Sequence, residues 1–253
     1  MQDAMAAGTH PTSEAERDLT LVLPAYNEER DLERGCLLAL DALRALADER
    51  PGMRWLIVVA SNGSTDATPR IAERLERRYP GEVRSLVIER AGRGGALKRA
   101  WEAFPAHVLA YSDVDLSCDI AQLGALVDPV LGGRADIAFG SRLTPGARTQ
   151  RRAGREAISR IYNALLQRYL HVGFRDAQCG FKAVSARVAR EVVPAVADDG
   201  WFFDTELLVR ADRSGLRLHE LPARWREDPR SSVRILRTAL ADLAGMRRLR
   251  SEL

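Results

Sequence analysis

Lysine is almost missing from this chain. Of 38 basic residues only Lys98 and Lys182 are lysines, so 36 arginines face 35 acids and the formal net charge is only +3. A charge so nearly balanced, with aromatic residues at 6% and no stacking platform, excludes the basic stripe of a nucleic-acid binder. The two lysines mark positions that need a compact ammonium in place of a planar fork. Cysteine is scarce too. Cys36, Cys118 and Cys179 are odd in number, widely spaced and lack a C-x-x-C pair. That excludes a disulfide framework or zinc site and points to a reducing compartment, the cytosol by default. No run approaches the roughly 18 apolar residues of a membrane span. Residues 1–18 lack the apolar centre of a signal peptide and read as a disordered leader. Any work at a membrane is therefore expected from its surface.

What is present is a core-forming chain of 253 residues, 46% hydrophobic, enough for one large domain over residues 19–231. Its first half alternates β-rich runs with helical stretches. Leu19–Leu23 leads to a helix through about Leu46, Trp55–Ala60 to Ala67–Arg78, Val83–Ile88 to Gly95–Phe104, and Val108–Ser112 to Ile120–Val130. Repeats of this length predict an α/β fold with a mostly parallel sheet covered by helices on both faces. Another strand is expected at Asp136–Gly140, then a loop over Thr144–Gln150 and a helix over Arg151–Tyr169. Asp176–Lys182 breaks the pattern, Trp201–Glu206 opens a helix, and Arg217–Trp225 alternates as a strand.

Ligands of such sheets bind beyond the carboxyl ends of the strands, and the polar motifs fall there. Pro24-Ala25-Tyr26-Asn27-Glu28 follows the first strand, Ser61-Asn62-Gly-Ser-Thr-Asp66 the second, and Asp113-Val114-Asp115 the fourth. Two carboxylates at i and i+2 where a strand runs out point to one side and can grip one hard divalent cation. Asn27 and Glu28 offer polar partners to a base and ribose, or alternatively start a helix. Arg93-Gly94-Gly95 can present helix N-terminal N–H groups to phosphate, with Lys98 one turn on, or form an ordinary turn.

Six of these segments occur in one order: Leu21-Val-Leu-Pro-Ala-Tyr-Asn-Glu-Glu, Asn62–Asp66, Arg93–Lys98, Asp113–Ser117, Gly140-Ser-Arg142 and Asp176-Ala-Gln-Cys-Gly-Phe-Lys182. Together they resemble family 2 glycosyltransferases of GT-A fold, in particular the branch of dolichyl- and polyprenyl-phosphate glucosyltransferases and mannosyltransferases. The resemblance implies a metal-dependent, inverting transfer of a hexose from a UDP- or GDP-sugar, with Mg²⁺ or Mn²⁺ as Lewis acid on the departing diphosphate. It casts Asp115 as a direct metal ligand and Asp113 as a partner of ribose or metal-bound water. Asn62 falls where relatives carry a carboxylate, and its amide can meet a base edge. Arg142, with Arg151, Arg152 and Arg155, would clamp phosphate from the acceptor side, the helix arginines alternatively forming a solvated face. Gln178 and Lys182 would lie near donor sugar or acceptor. Asp204 and Glu206 compete as the carboxylate facing the anomeric carbon, a general base that an ionised phosphate acceptor does not strictly need.

The acceptor remains open between a polyprenyl phosphate and a soluble molecule. A non-catalytic nucleotide-sugar-binding module is the reading from another class. Residues 232–253 form a basic amphipathic helix, with Val233, Leu236, Leu240 and Leu243 on one stripe. That helix can lie on the inner leaflet, or pack on the sheet or on a second subunit of a homodimer.

Overall fold

The computed structural model describes residues 17–150, 153–226 and 235–252. The strands are β1 Leu19–Ala25, β2 Trp55–Asn62, β3 Val83–Ile88, β4 Val108–Ser112, β5 Ile137–Ser141, β6 Arg148–Gln150, β7 Phe181–Ser185, β8 Leu218–Pro222 and β9 Arg224–Arg226. The helices are α1 Leu32–Asp48, α2 Thr68–Arg78, α3 Arg93–Ala103, α4 Leu123–Leu131, α5 Ala153–Leu170, α6 Ala186–Glu191, α7 Phe203–Arg213 and α8 Ile235–Glu252. Seven strands form the main sheet in the order β3-β2-β1-β4-β7-β5-β8, and β6 pairs with β9 in a two-stranded ribbon.

Both faces of the sheet are apolar, as a parallel sheet sandwiched by helices requires. Along β1, Leu19, Leu21 and Leu23 pack into the core under α1, α2 and α4. Val22, with Val58 and Tyr111 of its neighbours, packs into the core under α3 and α7. Helix α1 supplies its half through Leu32, Cys36, Ala39, Leu40, Leu43 and Leu46, the spacing of one helical face.

Three sequence expectations change here. The break at Asp176–Lys182 leads into β7, which runs antiparallel to β4 on one side and β5 on the other. Lys182, its second residue, disguised a strand that is buried throughout its first four residues. The Thr144–Gln150 loop contains β6, and the single strand expected at Arg217–Trp225 is split at Ala223 between β8 and β9. The antiparallel reversal matters for the site, because it brings the start of β7 to the rim where β1, β2, β4 and β5 end.

Candidate functional site

The rim is organised around the exit of β4. Ser112 pairs with Phe181 across the β4–β7 ladder, and the Asp113 amide donates to the Gly180 carbonyl at 3.0 Å. The Asp113 carboxylate then lies across the bare Cα of Gly180, where a Cβ would sit 1.7 Å from Oδ2. Only glycine leaves room for it. The chain does not continue extended, as the i, i+2 argument assumed. The Leu116 amide donates to the Asp113 carbonyl at 3.0 Å and closes a turn, with Leu116 at φ +50°. This turn buries Val114 against α1 and folds Asp115 back, its carboxylate accepting from the Ser117 amide at 2.9 Å and the Ser117 hydroxyl at 2.7 Å. Val114 is therefore a core residue under the turn, and its backbone approaches Gly35 of α1.

Behind Asp113 stands a buried network that the sequence did not reveal. Arg93 donates to Asp113 Oδ1 at 3.2 Å, to the Tyr111 hydroxyl at 3.2 Å, and to Asp204. Tyr111 donates to Asp204 as well, and Lys182 Nζ lies 3.1 Å from the same carboxylate. The Lys182 ammonium, wholly buried, also donates to the Ala177 and Cys179 carbonyls. Burial, with Arg93 nearby, pushes its pKa down to about 7 against the pull of the Asp176 carboxylate. Arg93 and Lys182 thus meet two carboxylates, Asp204 wholly buried and Asp113 partly open at the rim. Burial also pushes the Tyr111 hydroxyl well above its ordinary range, so it remains a donor. The Arg93 guanidinium lies 4.7 Å from the Trp201 ring, and that indole is 47% exposed on the rim.

Several residues assigned to ligand contact are placed elsewhere. Glu206 is fully buried and accepts from the Ala197 and Asp198 amides and from Arg210 and Arg248. Burial raises its pKa, but Arg248, the Ala197 amide and Arg210 outweigh that and hold it at about 2. Asp204, spent on Arg93, Tyr111 and Lys182, is equally enclosed. Neither α7 carboxylate faces an open cleft. Arg142 is clamped by two parallel bonds of 2.7 and 2.8 Å to buried Asp176, whose charge more than offsets the burial cost and raises the guanidinium pKa. Gln178 donates to Asp242 of α8 at 2.7 Å.

The nucleotide side is likewise more structural than expected. Asn62 spends its amide internally, donating to the Ala25 and Ala60 carbonyls and accepting from the Gly92 amide. It ties the ends of β1 and β2 to the loop before α3. Asn27, at φ +55°, accepts from the Thr65 amide at 2.8 Å, while the Glu28 amide donates to Thr68. Asn27 does not start α1, which begins at Leu32. Pro24 and Ala25 are buried in β1, and Tyr26 is exposed beside them. The Gly94 and Gly95 amides donate to the Gly200 and Asp199 carbonyls, so those N–H groups are not turned to phosphate. Gly94 admits Phe203, which a Cβ there would meet at 2.5 Å. Lys98 bonds the Val196 carbonyl at 2.6 Å and Asp199 at 2.7 Å. Arg151 and Arg152 lie outside the described residues, as do the Arg155 side chain and residues 227–234.

A divalent cation fits this rim on one condition. Asp113 and Asp115 are hard oxygen donors, Asp113 accepting from Arg93 and Asp115 from Ser117. Among the described residues no three His, Cys, Asp or Glu side chains converge as a complete cage. The protein offers part of an oxygen shell, which a diphosphate and water would complete.

A mostly parallel sheet with one antiparallel strand beside its middle strand, and carboxylates where that middle strand ends, defines the GT-A class of glycosyltransferases. The family model for glycosyl transferase family 2 matches residues 20–193, and the chain belongs to that family. It is 38% identical over 229 residues to glycosyltransferase AglD of Haloferax volcanii, covering 90% of this chain and 36% of that protein. It is 30% identical over 219 residues to the dolichyl-phosphate beta-glucosyltransferase of Drosophila melanogaster, covering 83% of this chain and 67% of that one. The chain thus spans about a third of the first relative and two thirds of the second. The glucosyl-3-phosphoglycerate synthase of Mycobacterium tuberculosis, solved with UDP, superposes with a TM-score of 0.64 at 24% identity, covering 91% of this chain and 80% of that one. That likeness is one of fold.

Proposed function

We propose that this protein transfers a hexose, with inversion, from a UDP- or GDP-sugar to a polyprenyl phosphate at the inner face of the membrane. The observation that carries the acceptor class is the state of α7. Asp204 and Glu206 are both locked in buried ion pairs, so neither is placed to take a proton from a sugar or alcohol hydroxyl. A phosphate monoester needs no such base, being ionised already near neutral pH. One of its oxygens attacks the anomeric carbon, the bond to the nucleotide's terminal phosphate breaks, and the nucleoside diphosphate leaves with the electron pair. The relatives named dolichyl-phosphate beta-glucosyltransferases support the same acceptor.

Asp113 and Asp115 would hold Mg²⁺ or Mn²⁺ against the diphosphate, and the bound ion supplies Lewis-acid stabilisation of the charge that develops there. Arg93 and Gly180 fix where Asp113 points. Tyr26 and Trp201, exposed on the same rim, are placed to line the base and sugar ends. Among the described residues no helix is long and apolar enough to cross a membrane. The test is transfer of labelled hexose from UDP-glucose and GDP-mannose to a short-chain polyprenyl phosphate in detergent, with soluble phosphorylated acceptors in parallel. Label in the lipid phase is expected; label confined to a soluble acceptor overturns the lipid assignment.

A further inference from the structure

The exposed hydrophobic side chains are not scattered. Among the described residues eight large ones are exposed, and four of them form one patch: Ile158, Ile161 and Leu165 on α5 and Leu243 on α8, between 40% and 69% exposed. Positions 158, 161 and 165 fall within one narrow arc of a helix. The two helices run side by side in the same direction, since Tyr162 faces Asp242 and, two turns on, Arg250 stacks on Tyr169 at 4.4 Å. Leu243 therefore extends the α5 stripe. The rest of α8 turns inward: Met246 and Leu249 are buried, and Gly245 lets Phe202 against the helix. That part of α8 cannot itself lay an apolar face on a leaflet.

The patch has a charged border of one sign. Arg168 follows Leu165 on the same face, and it joins His171 and Arg250 around a shallow basin of about 610 Å³ between α5 and α8. Arg247 is exposed one turn before the helix end. On α5 the acid Glu156 is neutralised by Arg160 at 2.7 Å. Single exposed aliphatics need no explanation, but an apolar stripe edged by arginines is the composition of a surface that lies in an anionic lipid interface.

We propose that the outer face of α5, extended by Leu243, is the surface on which this protein rests on an anionic bilayer. The inference rests on the lipid-phosphate acceptor proposed above, and gives it a geometry. The inner face of α5 touches the frame of the site: Asn163 accepts from the Ala177 amide beside Asp176, and Tyr162 bonds Thr205 next to Asp204. A bilayer under the outer face would thus lie one helix diameter from the rim.

The experiment is flotation of the whole chain with vesicles of phosphatidylcholine alone and with phosphatidylglycerol added. The wild type is compared with Ile158→Gln/Ile161→Gln/Leu165→Gln, and separately with Arg168→Glu/Arg247→Glu. Glutamine keeps helix propensity, and a melting curve verifies the fold. Binding to anionic vesicles is expected to fall about ten-fold or more in the triple variant, and to lose its dependence on anionic lipid in the charge variant. Transfer to a short-chain acceptor in detergent is expected to stay at the wild-type level. Wild-type protein that ignores anionic vesicles, or a folded triple variant that binds as well as the wild type, overturns the docking face. So does a wild-type dimer, seen by light scattering, that the triple variant dissolves, because a second copy then covers the patch. Vesicle binding that follows the expected pattern without any transfer to lipid phosphate defeats the acceptor assignment instead.

Discussion

Replacing Gly180 by alanine adds one methyl group at the point where the site is tightest. The new Cβ would stand 1.7 Å from Asp113 Oδ2, 2.3 Å from its Cγ and 2.6 Å from Oδ1. Gly180 is not among the positive-φ residues, so backbone strain is not the issue and the collision is aimed at one carboxylate. To regain ordinary contact that carboxylate must retreat by roughly 1.5 to 2 Å. It then leaves Arg93, a charge-assisted bond worth about 1.5 to 3 kcal/mol, while the loss of glycine's freedom in the unfolded chain returns about 0.4 to 1 kcal/mol. A net cost of about 1 to 2 kcal/mol lowers Tm by only about 2 to 8 °C in a chain of this size. Function suffers more. Misplacing a catalytic group by about 1 Å costs about 100-fold, so kcat/KM for hexose transfer is expected to fall by that order. Steady-state transfer assays below the melting range measure it, with Gly173→Ala, where a Cβ meets nothing within 4 Å, as the control. A folded Gly180→Ala enzyme within about three-fold of the wild type, a difference under about 1 kcal/mol in transition-state binding, would refute the claim that Asp113 is held where catalysis needs it.

Other substitutions separate structure from chemistry. Glu206→Gln leaves Arg210 and Arg248 without their buried partner and should cost about 3 to 5 kcal/mol in denaturant melts, with kcat little changed at low temperature; a large loss of kcat in stable protein would restore Glu206 as a base. Because its folded pKa is depressed from 4.5 to about 2, its contribution of about 3 kcal/mol is complete above pH 4.5 and disappears as pH falls through about 2. Asp242 behaves in the opposite sense: burial raises its folded pKa to about 6, so its ionisation opposes folding above that pH. Asp242→Asn is expected to raise Tm at pH 8 relative to wild type and to gain less at pH 5, and equal gains at both would contradict this. Asp115→Ala loses its two bonds from Ser117 and should lower Tm by a few degrees in the absence of ligand, while removing Mn²⁺-dependent thermal stabilisation by nucleotide.

The fold was legible where periodicity speaks plainly. The strands β1 to β5 and helices α1 to α3 follow from apolar runs alternating with amphipathic stretches, and the rim follows from where their polar residues fall. Strand β7 was hidden because Lys182 sits within it, and a buried lysine can be read only once Asp204 and two carbonyls are seen around it. The scarcity of lysine was a true signal of another kind: both lysines donate to backbone carbonyls and a carboxylate that converge on one nitrogen. Motif order pointed to one rim of the sheet but blurred the roles of its residues. Asn62, Lys98, Gly94 and Glu206 sit in motif segments and brace the rim, a distinction that depends on partners 30 to 106 residues away. Arg93 was visible only as a cation near two glycines, and Trp201 only as the start of a helix. Their stacking against each other beside Asp113 is tertiary information.

Calorimetric titration of UDP and of GDP into the protein, with Mn²⁺ and again with chelator, tests the central claim that the β4 exit is a metal-assisted diphosphate site. One of the two nucleotides is expected to bind at least about ten-fold tighter with the metal, about 1.4 kcal/mol, and Asp115→Ala to abolish that difference. Equal affinity with and without Mn²⁺, or a metal effect that survives in folded Asp115→Ala, would contradict the account.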